Sequence, residues 1–198
     1  MSDDDARATA RRYLSTVSET LRRVETDCLD DIVTAADLVI RALRGGGKIL
    51  VCGNGGSAAD AQHFATEFVS TLTLDHVRSS IPAIALTTDT SLLTAVSNDF
   101  GFEHVFERQV EALGAVGDVL VGISTSGNSL NVVRAAELAR TRELSVIALT
   151  GESGGKLAPL ADVAVRVPSS LPYHVQECHI AVEQLIALLV ERELHPSV

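Results

Sequence analysis

Two short loops rich in glycine and hydroxyl side chains are the first places where the sequence indicates chemistry. They are residues 53–58 (GNGGSA) and 124–129 (STSGNS), and each lies between an aliphatic run and a helical pattern. Small residues let the backbone approach an anion, and a helix N-terminus offers free N–H groups and a partial positive charge. One serine satisfies a helix cap, but the second loop has four hydroxyls in six residues. This loop therefore predicts a phosphate site.

Two other phosphate-binding patterns fit the sequence less well. Gly53-x-Gly55-x-x-Ala58 matches a loose dinucleotide fingerprint, which expects an acidic residue about 20 positions further on, whereas Asp89 lies 36 residues after Gly53. Residues 151–157 (GESGGKL) resemble a P-loop but are one residue short and lack a hydroxyl residue after the lysine. We interpret this second stretch as a tight loop between a strand and a helix.

A histidine and a carboxylate follow the first loop on the same predicted helix. His63 and Glu67 are four residues apart and therefore share a helix face. Such a pair suits proton transfer on a phosphorylated small molecule, or two ligands of a divalent metal ion. Spacing alone fits an exposed ion pair equally well.

Polar residues in two other segments are further candidates. Gln176, His179, Glu183 and Gln184 interrupt the apolar stripe of the C-terminal helix, where they would serve a site or an oligomer interface. Asn98-Asp99 closes the helix after the second strand, where it is either a turn or a ligand contact.

The elements that must position these residues alternate along the chain. Helical periodicity covers 5–26 and 29–44. Five aliphatic runs then each precede a helical stretch, which indicates a parallel sheet buried on both faces. The runs are 48–52, 82–86, 118–123, 144–150 and 162–167, and the helical stretches are 57–70, 90–97, 129–141, 156–160 and 173–193. Right-handed crossovers give an α/β three-layer sandwich, with ligands at the carboxyl ends of the strands.

Composition excludes several classes of protein. The chain has 198 residues, 46% hydrophobic, with only 4% aromatic and a net charge of −10. This charge argues against binding of nucleic acid, and no apolar run approaches the roughly 20 residues of a membrane helix. The acidic N-terminus is unlike a signal peptide, and three dispersed cysteines indicate reduced thiols, so we expect a cytoplasmic location. We expect one domain over 1–198, with a helical segment at 1–45 and an α/β core with the C-terminal helix at 46–198.

Several longer segments together resemble the sugar-isomerase (SIS) domain, and within it the phosphoheptose isomerase family. They are CGNGGSAADAQHFATEF, PAIALTTDTSLLTAVSNDFGFEHVFERQVEALG, GDVLVGISTSGNS and HVQECH, and the resemblance runs from about residue 30 to 192. It implies a five-stranded parallel sheet between helices, and homotetramers assembled through the N-terminal helices with active sites between subunits. It also implies isomerisation of sedoheptulose 7-phosphate to D-glycero-D-manno-heptose 7-phosphate in the cytoplasm, with zinc in some members.

The resemblance also implies roles for individual residues. Glu67 matches the family's catalytic carboxylate, and the metal positions are His63, Glu67, Gln176 and Gln184, a possible zinc site. Substrate contacts are implied for Asn54, Gly55, Gly56, Ser57, Glu67, Asn98, Asp99, Ser124, Thr125, Ser126, Ser129 and Gln176.

One departure from the family pattern concerns catalysis. Active isomerases carry a catalytic histidine eight residues after the matching glutamine, where this chain has Gln184. A carboxamide has no proton to exchange near pH 7. Water, His179, His174 or a metal-bound group must then move the proton, and the adjacent Glu183 is a further carboxylate. The sequence therefore predicts an aldose–ketose isomerase, with a non-catalytic SIS protein, either a binder of the replication initiator or a sugar-phosphate sensor, as the alternative.

Overall fold

Five parallel strands form the middle layer of the protein in the order β2-β1-β3-β4-β5. The computed structural model describes residues 3–73 and 77–196. The strands are β1 Ile49–Gly53, β2 Ala83–Ala85, β3 Val119–Ser124, β4 Ser145–Gly151 and β5 Val163–Val167. Because β1 pairs with β2 on one side and β3 on the other, the chain reverses direction across the sheet beside β1. Crevices at such a point, at the carboxyl ends of the strands, are where these sheets bind ligands.

Helices cover both faces of the sheet. They are α1 Asp3–Asp27, α2 Leu29–Arg44, α3 Gly56–Val69, α4 Thr90–Asp99, α5 Glu107–Leu113, α6 Leu130–Thr141 and α7 Pro172–Leu194, with 3₁₀ turns at Phe102–His104 and Ala158–Leu160. Successive strand residues point to opposite faces. Val51 of β1 thus packs in the cluster that includes α2, α3 and α7, while Leu50 packs in the cluster that includes α5 and α6. This confirms the three-layer α/β architecture.

The predicted elements agree with the structure except between residues 98 and 113 and at residues 156–160. Here α4 extends to Asp99, so Asn98 and Asp99 lie inside the helix rather than in the turn after it. The 3₁₀ turn at Phe102–His104 and helix α5 were not predicted. The predicted helix at 156–160 is the 3₁₀ turn Ala158–Leu160. Within the described ranges, no helix is long and apolar enough to cross a membrane.

Candidate functional site

The two glycine- and hydroxyl-rich loops lie side by side because their strands are neighbours. Gly53 at the end of β1 pairs with Ile123 near the end of β3. A reciprocal amide pair then joins the loops: Asn54 Nδ2 donates to Asn131 Oδ1 (2.8 Å), and Asn131 Nδ2 donates to Asn54 Oδ1 (2.9 Å). Asn131 is only 3% exposed, and its Oδ1 also accepts from the backbone N–H of Val132 (3.0 Å). The amide pair therefore fixes the spacing of the two loops.

The hydroxyls of the second loop face one another instead of capping the helix that follows. Ser129 is the N-cap residue of α6, yet its side chain makes no capping hydrogen bond. Its Oγ instead lies 3.0 Å from Ser124 Oγ. Simple capping therefore does not explain the serines. The N-terminal N–H groups of α6 and two adjacent hydroxyls are donors of the kind that bind a phosphate group.

The turn formed by residues 151–157 packs against the backbone of this second loop. Gly127 has φ +66°, and a Cβ there would lie 2.1 Å from the carbonyl oxygen of Gly154. The backbone N–H of Leu157 donates to Gly127 O (2.9 Å), and that of Gly151 donates to Thr125 O (2.9 Å). The stretch that resembles a P-loop is thus a backbone support for the loop at residues 124–129, for which the sequence predicts phosphate binding.

Helices α3 and α7 run side by side and carry the other candidate residues. Gly56 lies against the side chain of Gln176, because a Cβ on Gly56 would be 2.8 Å from Gln176 Nε2. Further along α3, His63 Nε2 lies 2.8 Å from Glu67 Oε1, and the Glu67 side chain is 13% exposed against 46% for His63. The predicted i,i+4 pair is therefore formed, and of its two side chains the Glu67 carboxylate is the more buried.

The structure brings these residues together as two separate pairs. Glu67 is eleven residues beyond Gly56, which is about 16 Å along the helix axis. Because Gln176 contacts Gly56, the four predicted metal positions do not converge within one chain. No group of three histidine, cysteine, aspartate or glutamate residues within 3–73 and 77–196 could hold a metal ion. Zinc sites use three or four such ligands, so the donors of a single chain do not fit zinc.

Glu183 is the most unusual carboxyl group between α3 and α7. Glu183 of α7 lies close enough to Asp60 of α3 for the two carboxyl groups to interact electrostatically. Its side chain is 1% exposed, and neither oxygen has a hydrogen-bond partner. Burial and the nearby charge of Asp60 raise the pKa of Glu183 to about 9. Burial also raises the pKa of Asp60.

Gln184, at the family's histidine position, is exposed on α7. Glu183 lies seven residues after Gln176, within about 20° of two full turns, whereas Gln184 is rotated about 100° further. Glu183 therefore continues the stripe that Gln176 begins. Gln184 lies on an adjoining, exposed surface.

The two histidines considered as replacements for the family's histidine lie elsewhere. His179 is fully buried, and its Nε2 lies 3.2 Å from the carbonyl oxygen of Thr150. Burial lowers its pKa to about 4, so it stays neutral and out of contact with solvent. His174 packs against the ring of Tyr13 on α1, and its Nδ1 lies 2.8 Å from Glu177. Neither imidazole is placed to exchange protons with a substrate of the same chain.

The remaining predicted contacts lie in two places, at the start of α3 and at the end of α4. Ser57 is buried and packs against Gly53, while Gly55, with φ +58°, is the N-cap of α3. Asn98 Nδ2 donates to Asp99 Oδ1 (2.8 Å), and both side chains are exposed at the far end of α4. The structure therefore groups the loop residues but leaves Asn98 and Asp99 apart from them.

Sequence reasoning missed the partners that hold these residues in place. Asn131, Asp60 and Arg78 were not singled out. The reciprocal pairing of Asn131 leaves no signal in a single sequence. Asp60 is signalled only by its spacing, since it lies seven residues before Glu67 and shares its helix face.

Comparisons with known proteins agree with this geometry. A model of the family described as the SIS domain matches residues 12–151. A phosphoheptose isomerase of Rhodospirillum rubrum is 50% identical over 184 residues, covering 93% of this chain and 96% of its own. A second one, of Roseiflexus sp., is 51% identical over 173 residues, covering 87% of this chain and 86% of its own.

Solved structures show the same relationship. A phosphoheptose isomerase from Neisseria gonorrhoeae superposes with a TM-score of 0.88 at 44% identity, covering 94% of this chain and 98% of its own. One from Francisella tularensis gives a TM-score of 0.90 at 36% identity, covering 97% and 100%. The chain therefore belongs to the phosphoheptose isomerase family of SIS-domain proteins.

Proposed function

We propose that the protein is an aldose–ketose isomerase that converts sedoheptulose 7-phosphate to D-glycero-D-manno-heptose 7-phosphate. The observation that carries the proposal is the Glu67 carboxylate, held by His63 and largely withdrawn from solvent, in a fold that also forms a hydroxyl-lined phosphate loop. The curated relatives that are about 50% identical are phosphoheptose isomerases, which supports the same substrate.

The phosphate loop and Glu67 divide the work of this reaction. Residues 124–129 hold the phosphate, so that binding energy far from the reacting carbons orients C1 and C2. Glu67 removes the proton on the carbon next to the carbonyl and returns it to the neighbouring carbon through a cis-enediol. Such a general base contributes about 10²–10⁴-fold to the rate.

A proton must also move between O1 and O2, and Gln184 has none to exchange. Because His179 is buried and His174 is bound to α1 and Glu177, we assign this transfer to His63. Its side chain is half-exposed beside the catalytic carboxylate. None of these steps uses the zinc expected for some relatives.

We further propose that the active unit is a homo-oligomer, most simply the tetramer expected for this family, in the cytoplasm. The support is the distance of about 16 Å along α3 between the loop end of the helix and Glu67. A substrate anchored on one chain's phosphate loop would then meet the carboxylate of another. Light scattering tests the assembly. Mixing a Glu67→Gln chain with a Ser124→Ala/Ser129→Ala chain tests the sharing, because mixed oligomers regain activity only if one site uses both chains.

The direct test of the function is turnover of sedoheptulose 7-phosphate, followed by chromatography of the aldose product. We expect wild-type turnover, and a loss of about 10²–10⁴-fold in Glu67→Gln. Glu111→Gln, the same change at an exposed ion pair on α5, is the matched control and should retain full activity. Sugar-phosphate binding in calorimetry without turnover would instead identify a sensor. Turnover seen only in Gln184→His would also refute native catalysis.

A further inference from the structure

Arg78 is a buried cation attached to the end of the helix that carries Glu67. Its side chain is 2% exposed. Nη2 donates to the carbonyl oxygen of Glu67 (2.7 Å), and Nη1 donates to that of Phe68 (2.8 Å). These carbonyls belong to the last turn of α3, where backbone acceptors have no partner within the helix. Arg78 therefore caps the catalytic helix from outside it.

The same guanidinium joins α3 to α7. Arg78 Nε donates to Glu191 Oε2 (2.6 Å), and Glu191 is buried in the last third of α7. The backbone N–H of Leu72 also donates to Glu191 (3.4 Å). Glu191 thus neutralises Arg78 and joins the C-terminal ends of α3 and α7. The contact of Gly56 with Gln176 joins the two helices near their N-terminal ends. The face that holds His63 and Glu67 lies between these two attachments.

Electrostatics gives Arg78 a second effect on Glu67. A carboxylate in the last turn of a helix meets the negative end of the helix dipole, which is unfavourable. A guanidinium bound to the carbonyls of that turn offsets this potential. Lysine would supply the charge but not the planar set of donors that reaches two carbonyls and a carboxylate together.

We propose that Arg78 is a positioning residue for the isomerase reaction: it holds the backbone of Glu67 at the height and angle required for proton abstraction. The expected change in kcat rests on the proposed function, whereas the expected displacement of Glu67 does not. Arg78 lies at the end of α3 remote from the phosphate loop. A displaced Glu67 therefore lowers kcat while leaving KM nearly unchanged.

Two variants and one control test this proposal. Arg78→Lys keeps the charge beside Glu191, and Arg78→Met/Glu191→Met removes both buried charges together, so that neither is left unpaired. We expect kcat to fall about 10–100-fold in both, since a misplacement of about 1 Å costs about 100-fold, with KM within about twofold. Asp118→Asn breaks the ion pair with Lys48 before β3 and is the control for destabilisation alone. It should lower the urea midpoint but leave kcat within about twofold.

Crystal structures of the same variants separate this proposal from the proposed function. We expect the Glu67 carboxylate of Arg78→Lys to shift and its 2.8 Å contact with His63 to lengthen. A folded Arg78→Lys with Glu67 unmoved would overturn the proposal, whether or not the wild-type protein turns over the heptose phosphate. Wild-type kcat in a folded Arg78→Lys, or an equal loss of kcat in Asp118→Asn, would overturn it as well. Absence of wild-type turnover with a displaced Glu67 would count against the isomerase function alone.

Discussion

The amide pair between Asn54 and Asn131 makes the sharpest energetic prediction, because it joins the first loop to the first turn of α6, directly after the second loop. Removing either partner breaks two hydrogen bonds of 2.8 and 2.9 Å and leaves without them an amide that is half-buried in Asn54 and buried in Asn131. A neutral hydrogen bond in a protein contributes about 0.5–1.5 kcal/mol net. The pair should therefore couple the two residues by about 1–2 kcal/mol.

A double-mutant cycle measures this coupling directly. Urea unfolding of Asn54→Ala, Asn131→Ala and the double variant gives three changes in the free energy of unfolding. We expect each single variant to lose about 1.5–3 kcal/mol, with Asn131→Ala losing more because the N–H of Val132 also loses its acceptor. The double variant should lose about 1–2 kcal/mol less than the sum of the two. Additivity within about 0.5 kcal/mol would refute the reasoning, since that is the behaviour of independent sites.

The same cycle predicts a functional effect and has a natural control. Asn128 lies in the same loop, but its amide donates to Ser126 of that loop and not to the first loop. Asn128→Ala should show no coupling with Asn54→Ala. The KM for the sugar phosphate should rise in Asn131→Ala because the loop that binds phosphate loses its lateral support, and an unchanged KM would contradict that role.

Three further variants test other contacts in the site. Gly56→Ala should reduce kcat/KM at least about tenfold with little change in urea midpoint, because its new methyl displaces only the flexible end of Gln176. Gly127→Ala should instead lose more than about 3 kcal/mol of stability, as its methyl would overlap the backbone of the 151–157 turn, and a normal melting temperature would contradict this. Glu183→Gln should remove a pH dependence of the free energy of unfolding. The pKa of Glu183 is about 9 in the folded chain and has its ordinary value of 4.5 in the unfolded chain. Between these pH values the folded chain keeps a proton that the unfolded chain has released. The free energy of unfolding of the wild type should therefore fall with rising pH in this window, by up to about 1.4 kcal/mol per pH unit. Equal slopes for both proteins in urea titrations would show that Glu183 ionises normally.

The sheet and most helices were predictable because the pattern of apolar residues within each element indicates which of its faces are buried. An aliphatic run such as residues 119–123 cannot face water on either side, so the parallel sheet follows from the sequence. The segment between residues 98 and 113 was harder to predict. Its helix α5 buries only Gln109 and Val110, and this leaves no apolar periodicity to recognise.

The candidate site was predictable only as far as local spacing reaches. The hydroxyl loop and the His63–Glu67 pair are each contained in one short segment, and the structure forms both. Arg78 and Asn131 act on residues that are distant in sequence: Arg78 contacts Glu191 across 113 positions, and Asn131 contacts Asn54 across 77. A single sequence contains no pattern that links such positions, so these supports become visible only in three dimensions.

Neither the net charge of −10 nor the family's histidine position on α7 is by itself a reliable guide to this site. Net charge argues against anionic ligands, but the phosphate site that we propose offers helix N–H groups and hydroxyls, which net charge does not register. On α7, the position matching the family's histidine is exposed, while the neighbouring Glu183 is buried near Asp60 without a hydrogen-bond partner. In the homo-oligomer that we propose, the glutamine would change a surface that a second chain covers. Its effect on catalysis should consequently depend on assembly, and a dissociated monomer should respond little to Gln184→His.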